Sequence, residues 1–225
     1  MTAQTAQTAQ TAQTAPTDQT APTDQTAHKV LALEPFMNNQ AATTLANLAD
    51  GRLNVWRNSL PAQDAPLELL VDGVPLRTAR LDGTGPDNVR CAGQRIEVPE
   101  RRWDWLYLIG CGERRVRDVL TWHFSDGTVD RDHLALSDLW EGRSDFGEEL
   151  ALRTDVIHYP HHVQERIGIT LWCQRVPVTS RKPLTAMSLP RNPAVHLFAL
   201  TLVGRHLGAG ADGEPLIQGA SRALS

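Results

Sequence analysis

Histidine side chains crowd one short stretch of the chain, the sequence HYPHH at residues 158–162. Imidazole nitrogen is a common ligand of divalent transition metals, so His158, His161 and His162 could hold such an ion together with a nearby carboxylate. Pro160 interrupts the run, so the rings cannot share one helix face. A surface loop is the simpler interpretation. If that loop borders a pocket, the imidazoles could bind a ligand or transfer protons near neutral pH.

Short polar side chains flank two turn-like segments, at Asn38-Asn39 and Asp87-Asn88. Asn and Asp commonly cap turns through their own backbone, which is the favoured interpretation. Alternatively, the two segments meet at one end of the domain and coordinate calcium or a polyol, because hard cations prefer carboxylate and carbonyl oxygens. A structural calcium ion is therefore the candidate cofactor. Taken with the histidine run, the candidate metal ligands are Asn38, Asp87, His158 and His162.

The chain has six tryptophans but only two tyrosines. Trp122 and Trp172 lie inside apolar runs, which predicts that both are core residues. Trp56 and Trp140 lie beside loop-forming residues, where an exposed indole could stack on a ligand ring. Trp140 is the stronger candidate of the two. The complete set of candidate ligand-binding residues is Trp140, His158, His161, His162, Asn88 and Asn39.

Motifs for covalent or nucleotide chemistry are absent from the sequence. It contains no Gly-x-Ser-x-Gly elbow, phosphate-binding loop or dinucleotide fingerprint. Glu148 and Glu149 are adjacent carboxylates, but neighbours in sequence need not face one another across a substrate, so they do not define a glycosidase pair. No catalytic residue is assigned on this basis, and a non-catalytic role is favoured.

Composition narrows the partners and the compartment. The 26 acidic and 22 basic residues give a net charge of −4 with no basic face, which argues against nucleic acid as a partner. No apolar run reaches the roughly 18 residues of a membrane span, and no signal-peptide pattern opens the sequence, so we expect a cytoplasmic protein that does not enter membranes. Three cysteines, an odd number without metal-ligand spacing, predict buried free thiols in a reducing compartment.

Residues 1–27 repeat Thr-Ala-Gln and then Ala-Pro-Thr-Asp-Gln-Thr. Such a segment has few large apolar side chains to bury, so it cannot offset the entropy lost on ordering, and we expect a disordered leader. The Gly- and Ala-rich residues 206–225 are expected to form a flexible tail. The folded domain is therefore placed at residues 28–205.

Short apolar or alternating runs, separated by Gly, Pro, Asn and Asp, fill this domain and predict an all-β fold. Asp72-Gly73 and Asp126-Gly127 predict tight turns, the second joining two strands of a hairpin. Only residues 41–49 have the composition of a helix. The candidate strands are Val30–Leu33, Glu68–Asp72, Gln94–Val98, Trp105–Gly110, Val116–Phe124, His133–Ser137, Ile169–Val178, Leu184–Leu189 and Val195–Val203.

A series of motifs in fixed order resembles the galactose-binding-like jelly-roll domains that accompany bacterial glycoside hydrolases. The strongest match is the segment GPDNVRCAGQRIEVP at residues 85–99. Another is Ser137-Asp138-Leu139-Trp140, which is similar to the family's Ser-Asp-Trp motif with a leucine inserted. Further matches lie at 36–39, 58–62, 71–75, 106–110, 126–128 and 189–200, so the likeness covers most of residues 36–202.

The resemblance implies a jelly-roll β-sandwich that binds a carbohydrate or a glycosylated small molecule without catalysing a reaction. Two alternatives stay open. The protein could be a metal-assisted hydrolase or small-molecule tailoring enzyme that uses the loop at 158–162. It could also be an accessory subunit that docks onto a catalytic partner.

Overall fold

The computed structural model describes residues 26–140 and 142–205. The leader expected over residues 1–27 lies outside the described residues as far as residue 25, and so does the expected tail from residue 206. Thr26 and Ala27, which composition assigned to the leader, instead begin the first strand. The first eight strands are β1 (Thr26–Val30), β2 (Ala42–Thr43), β3 (Leu60–Pro61), β4 (Glu68–Val71), β5 (Val74–Arg77), β6 (Val89–Arg90), β7 (Arg95–Arg101) and β8 (Trp105–Gly112).

The second half of the chain continues the all-β pattern. Its strands are β9 (Val116–Phe124), β10 (Val129–Leu136), β11 (Glu149–Arg153), β12 (Val156–Tyr159), β13 (His162–Glu165), β14 (Thr170–Pro177), β15 (Leu184–Ser188) and β16 (Val195–Arg205). Two single turns of 3₁₀ helix occur at Glu34–Phe36 and Leu48–Asp50. The helical composition of residues 41–49 was therefore misleading: this segment forms β2 and the start of one 3₁₀ turn.

The long strands form two facing antiparallel sheets. One has the order β1-β16-β8-β14-β11, with β6 also paired to β16, and the other has the order β10-β9-β15-β7. Along the chain, β1 lies in the first sheet, β7 in the second and β8 in the first. The strands β9 and β10 lie in the second sheet, β14 in the first, β15 in the second and β16 in the first. The first and last strands are neighbours, which is the jelly-roll arrangement of a β-sandwich. The predicted fold class is confirmed.

The six-stranded sheet is buried on both faces. Leu106 and Leu108 of β8 face the other sheet and join the core between the two sheets. Tyr107 and Ile109 point the opposite way, because side chains alternate along a strand, and join a second core. That second core is closed by β2, β3, the β4–β5 hairpin and β12, which cover the outer face of the sheet. Burial on both faces explains why β8 is a continuous apolar run.

Local turn chemistry formed as the sequence predicts. Asp72 and Gly73, with φ angles of 52° and 76°, join β4 to β5, and Gly at the second position tolerates this backbone. Gly127, with φ of 80°, closes the turn between β9 and β10, and its amide donates to the Phe124 carbonyl. The predicted hairpin around Asp126 is confirmed by the register of β9 and β10.

The predicted burial of two tryptophans and three cysteines is confirmed. Trp122 is fully buried, with its indole N–H donating to Asp132 Oδ2 over 2.8 Å, and Trp172 is 3% exposed. The cysteines, all buried and free, are Cys91, Cys111 and Cys173. Within the described residues, no helix has the length and apolar character that crossing a bilayer requires.

Replacing Trp122 with Ala should lower the free energy of unfolding by about 3–5 kcal/mol, because the substitution removes a fully buried indole and leaves a cavity. It also leaves Asp132 Oδ2 without the hydrogen bond from the indole. Equilibrium denaturation measures this loss. Trp105→Ala is the matched control, since Trp105 is 38% exposed, and it should cost about 1 kcal/mol or less. Equal losses for the two variants would contradict the assigned core.

Candidate functional site

Several connections between strands converge at one end of the sandwich. The β8–β9 turn is tied to the β15–β16 connection by a hydrogen bond from the Glu113 amide to the Ala194 carbonyl, 2.8 Å long. It is tied to the segment after β10 by bonds from Gly112 N to Ser137 O and from Leu139 N to Gly112 O. Because consecutive strands run in opposite directions, alternate connections meet at the same end. Loops distant in sequence thereby form one surface.

A groove of about 220 Å³ opens on this surface, and we call it the tryptophan groove. It combines two indoles, two carboxylates, an amide and a guanidinium. Its lining residues are Asn54, Val55, Trp56, Glu113, Arg114, Asp138 and Trp140.

The loop that carries Trp56 is held by a pair of asparagines. Asn54 Oδ1 accepts the backbone amides of Trp56 and Asn58, each over 3.1 Å, and Asn54 Nδ2 donates to Asn58 Oδ1 over 3.0 Å. Both asparagines are buried, whereas Val55 and Trp56 are 76% and 57% exposed. This side-chain-to-backbone bonding is how Asn stabilises turns. It presents the Trp56 indole to solvent from a fixed backbone.

Trp140 reaches the groove because its neighbour Leu139 is inserted into the second core. Leu139 is fully buried, and its backbone bonds to Gly112 and Thr170. The Trp140 amide donates to Asp138 Oδ1 over 3.2 Å, which fixes the groove carboxylate relative to the indole. The leucine inserted in the Ser-Asp-Trp-like motif therefore anchors the backbone beside Trp140, whose half-buried indole packs against the second core and lines the groove.

Glu113 forms the wall of the groove that adjoins the interior. Its Oε2 atom accepts the Val55 amide over 3.3 Å, so it also supports the loop of Trp56. Its Oε1 atom lies 3.6 Å from Arg90 Nη2 and 3.4 Å from His196 Nε2. His196 is fully buried, and its Nδ1 atom lies 3.1 Å from Asn88 Oδ1. Glu113 thus links the groove to buried polar groups.

The Asn39 and Asp87-Asn88 segments meet, as the sequence suggested, but they do so inside the protein. Asn39 and Asn88 form an isolated β-bridge, and both are buried. The two Asp87 carboxylate oxygens accept the backbone amides of Ala41 and Ala42, each over 2.8 Å. Burial is the main reason that the pKa of Asp87 is raised to about 6. These groups cap backbone, which is the favoured sequence interpretation.

The side-chain oxygens of Asp87 and Asn38 are engaged with backbone amides. Both Asp87 oxygens already accept backbone amides, and Asn38 Oδ1 accepts the Arg90 amide over 2.8 Å. Across residues 26–140 and 142–205, no group of three or more His, Cys, Asp or Glu is placed to hold a metal ion. The structural calcium ion stays a prediction.

The histidine run forms a β-hairpin, in contrast to the expected loop. The His158 ring is buried, and its Nδ1 atom lies 2.8 Å from Thr43 Oγ1. Burial lowers the pKa of this imidazole. His161 lies exposed in the turn, and His162 stacks on Tyr159 with 4.8 Å between ring centroids. Pro160 is tolerated because it occupies the turn, where no ladder amide is required. The three imidazoles point to different surroundings.

Of the sequence candidates, the structure places Trp140 in the tryptophan groove and Asn88 behind it. The histidines at 158, 161 and 162 are not among the groove-lining residues, although the His158 carbonyl accepts Asn58 Nδ2 over 3.3 Å and so supports the loop of Trp56. Sequence reasoning missed Asn54, Glu113 and His196. Asn54 and Asn58 could have been noticed as a turn pair, but nothing local distinguishes Glu113 or His196.

Comparison with known proteins found one family. A family model described as "AziU2-like beta-sandwich domain" matches residues 27–206. No curated protein matches the chain. The relationship to galactose-binding-like domains, suggested by the order of motifs, stays a prediction.

The raised pKa of Asp87 predicts a specific pH dependence of stability. An aspartate in the unfolded chain titrates near about 3.9, so between about pH 4 and pH 6 the folded state holds a proton that the unfolded state has released. The free energy of unfolding should therefore fall as the pH rises through this window, by about 2–3 kcal/mol for this group.

Comparison with Asp87→Asn isolates this contribution, because histidines and other acids titrate in both proteins. Denaturant titrations between pH 4 and pH 7 should show wild-type stability declining relative to the variant as the pH rises. A difference between the two proteins that stays constant over this range would contradict the assignment.

Proposed function

The chain belongs to the AziU2-like β-sandwich family, and we propose that it recognises a carbohydrate or a glycosylated small molecule in the tryptophan groove, without catalysis. The observation that carries the proposal is the convergence of Trp56 and Trp140 with the Glu113 and Asp138 carboxylates in one groove. These residues come from three separate connections, and packing at the end of the sandwich brings them together.

The chemistry of the groove suits a sugar ring. A pyranose has an apolar face of C–H groups and a rim of hydroxyl donors and acceptors. Indole rings offer a large, rigid apolar surface for the C–H face, and carboxylates accept hydrogen bonds from the hydroxyl groups. Arg114 adds a group of the opposite kind, because a guanidinium donates, whereas the buried Asn54 amide is already bonded within the loop of Trp56.

The size of the groove favours a small ligand. At about 220 Å³ it is smaller than the roughly 300–1,000 Å³ typical of pockets for drug-sized molecules. One ring, as a free sugar or as the glycosyl end of a larger molecule, is the expected occupant. A methyl glycoside has 13 non-hydrogen atoms, and at about 0.3 kcal/mol per atom its dissociation constant would be about 1 mM.

Preorganisation supports binding by this groove. The Trp56 loop is fixed by Asn54 and Asn58, and the Trp140 backbone is fixed by Leu139 in the core. Little backbone ordering is then required when a ligand arrives, and that cost otherwise reduces affinity. The proposal therefore depends on a site that exists before the ligand binds.

Titration of the full chain with methyl glycosides of galactose, glucose, mannose and N-acetylglucosamine tests the proposal. At least one should change the indole N–H resonances of Trp56 and Trp140 with a dissociation constant in the millimolar range. Trp56→Ala and Trp140→Ala should each weaken that binding about tenfold, equivalent to about 1.4 kcal/mol, through loss of a stacking surface.

Trp105→Ala is the matched control, because Trp105 is also partly exposed but does not line the groove, and its binding should equal that of wild type. Two results would overturn the proposal. One is that no glycoside perturbs the groove indoles at concentrations up to about 50 mM, well above the expected dissociation constant. The other is that Trp105→Ala weakens binding as much as the groove variants do.

A further inference from the structure

Behind the tryptophan groove, the arrangement of hydrogen-bond donors and acceptors determines which ring nitrogen of His196 carries the proton. The relevant groups are Glu113 on the groove wall, His196 on β16, and Asn88 just before β6. The groove is the one proposed above to bind a sugar, and only the choice of ligand rests on that proposed function. The position of the proton follows from the hydrogen bonds of Asn88, His196 and Glu113 alone.

The Asn88 amide has a single satisfactory orientation. One end of it lies 3.0 Å from the Asn39 carbonyl and 2.9 Å from Asp87 Oδ1, which are both acceptors. That end must be the NH₂ group, since it alone can donate. The other end, Oδ1, accepts from Asn39 Nδ2 over 3.4 Å and faces His196 Nδ1 at 3.1 Å.

This orientation determines the tautomer of His196. Because Asn88 Oδ1 can only accept, the hydrogen bond between them requires a proton on His196 Nδ1. A neutral imidazole carries one proton, so Nε2 is then left with its lone pair. That lone pair faces Glu113 Oε1 at 3.4 Å, and a carboxylate oxygen is also an acceptor. A hydrogen bond between Nε2 and Oε1 forms only when the pair takes up one further proton.

The surroundings of the pair hold few other charges. The Arg90 guanidinium lies 3.6 Å from Glu113 Oε1 and belongs to β6, which pairs with β16 at His196. Cys111 is the residue opposite His196 on β8, and burial raises the pKa of its thiol, so it stays neutral. Asp87 is one residue further away, behind Asn88. Glu113 and Arg90 are therefore the charged groups that most affect His196.

We infer that Glu113 and His196 form an acid–base pair in the wall of the tryptophan groove, with Glu113 touching the ligand and His196 storing the proton behind it. In the accepting form, a ligand hydroxyl or ammonium group hydrogen-bonds to Glu113. The ligand keeps its proton in this contact, and the pair gains or loses its own proton by exchange with solvent as the pH changes. The ligand class is thus one with an O–H or N–H donor directed at Glu113.

Burial supports the accepting form at neutral pH. It lowers the pKa of His196, and this effect outweighs the opposite effects of the hydrogen bond that the imidazolium donates to Glu113 and of the Glu113 charge. The Glu113 side chain is 16% exposed, so a ligand can reach it while most of the carboxylate is shielded from water. A separation of 3.4 Å is long for a hydrogen bond, and such contacts commonly shorten when a site is protonated or occupied.

Long-range ¹H–¹⁵N correlation spectra of the full chain labelled with ¹⁵N-histidine test the inference without any ligand. His196, assigned by comparison with His196→Gln, should carry its proton on Nδ1 at high pH and gain one on Nε2 as the pH falls. Glu113→Gln should lower its apparent pKa by about 1 unit, because a neighbouring negative charge favours the imidazolium. The indole N–H resonances of Trp56 and Trp140 should shift with the same midpoint.

Glu97→Gln is the control, since Glu97 lies exposed on β7 and should leave the His196 titration unchanged. A His196 proton on Nε2 with a bare Nδ1 overturns the inference, and so does a titration that Glu113→Gln leaves in place. Indole N–H resonances of Trp56 and Trp140 that do not shift with the His196 titration would show that the pair is isolated from the groove, and this result would also overturn the inference. If Glu113→Gln fails to fold, the wild-type tautomer and indole shifts decide alone. Failure to bind any glycoside would remove the proposed function but leave this pair standing.

Discussion

The six-stranded sheet has an apolar outer face, and keeping water away from that face is the constraint on which the rest of the structure depends. Ile109, Cys111 and Phe198 of its central strands all point to this side and are almost completely buried. A two-layer sandwich would expose them. The long connection between β1 and β7 and the β12–β13 hairpin instead form a third layer, whose buried leucines complete a second core.

This cover contains little regular structure, so its backbone amides need other partners. Asp87 supplies them for Ala41 and Ala42, at the point where the cover returns to the sandwich. Burying this carboxylate raises its pKa, which is an energetic cost, but each amide left without a partner would cost about 1–3 kcal/mol. Within residues 26–140 and 142–205, no buried side-chain nitrogen or oxygen lacks a hydrogen bond. The buried polar side chains of the cover therefore all have hydrogen-bond partners.

The candidate site inherits its rigidity from this layer. Trp56 extends from the cover, Trp140 follows a leucine that is buried in the second core, and Glu113 closes the turn after the central strand β8. Each side chain stands on backbone that packing holds in place, while the Trp56 indole is exposed and the Trp140 indole and the Glu113 carboxylate are partly buried. The Glu113–His196 contact lies where the groove, the cover and the main sandwich meet. Glu113 therefore lines the groove and also bonds to buried groups of the fold at this end of the molecule.

The sequence by itself determined the features that depend on neighbours along the chain. Alternating and apolar runs predicted the main strands and the burial of Trp122 and Trp172, and Asp-Gly pairs predicted two turns, because side-chain period and backbone preference act over a few residues. Only the tertiary structure decided that Glu113 meets His196, 83 positions away, that His196 meets Asn88, 108 positions away, and that His158 is buried while His161 and His162 are exposed. Such contacts arise from the packing of distant segments, and no local pattern records which segments will pack together.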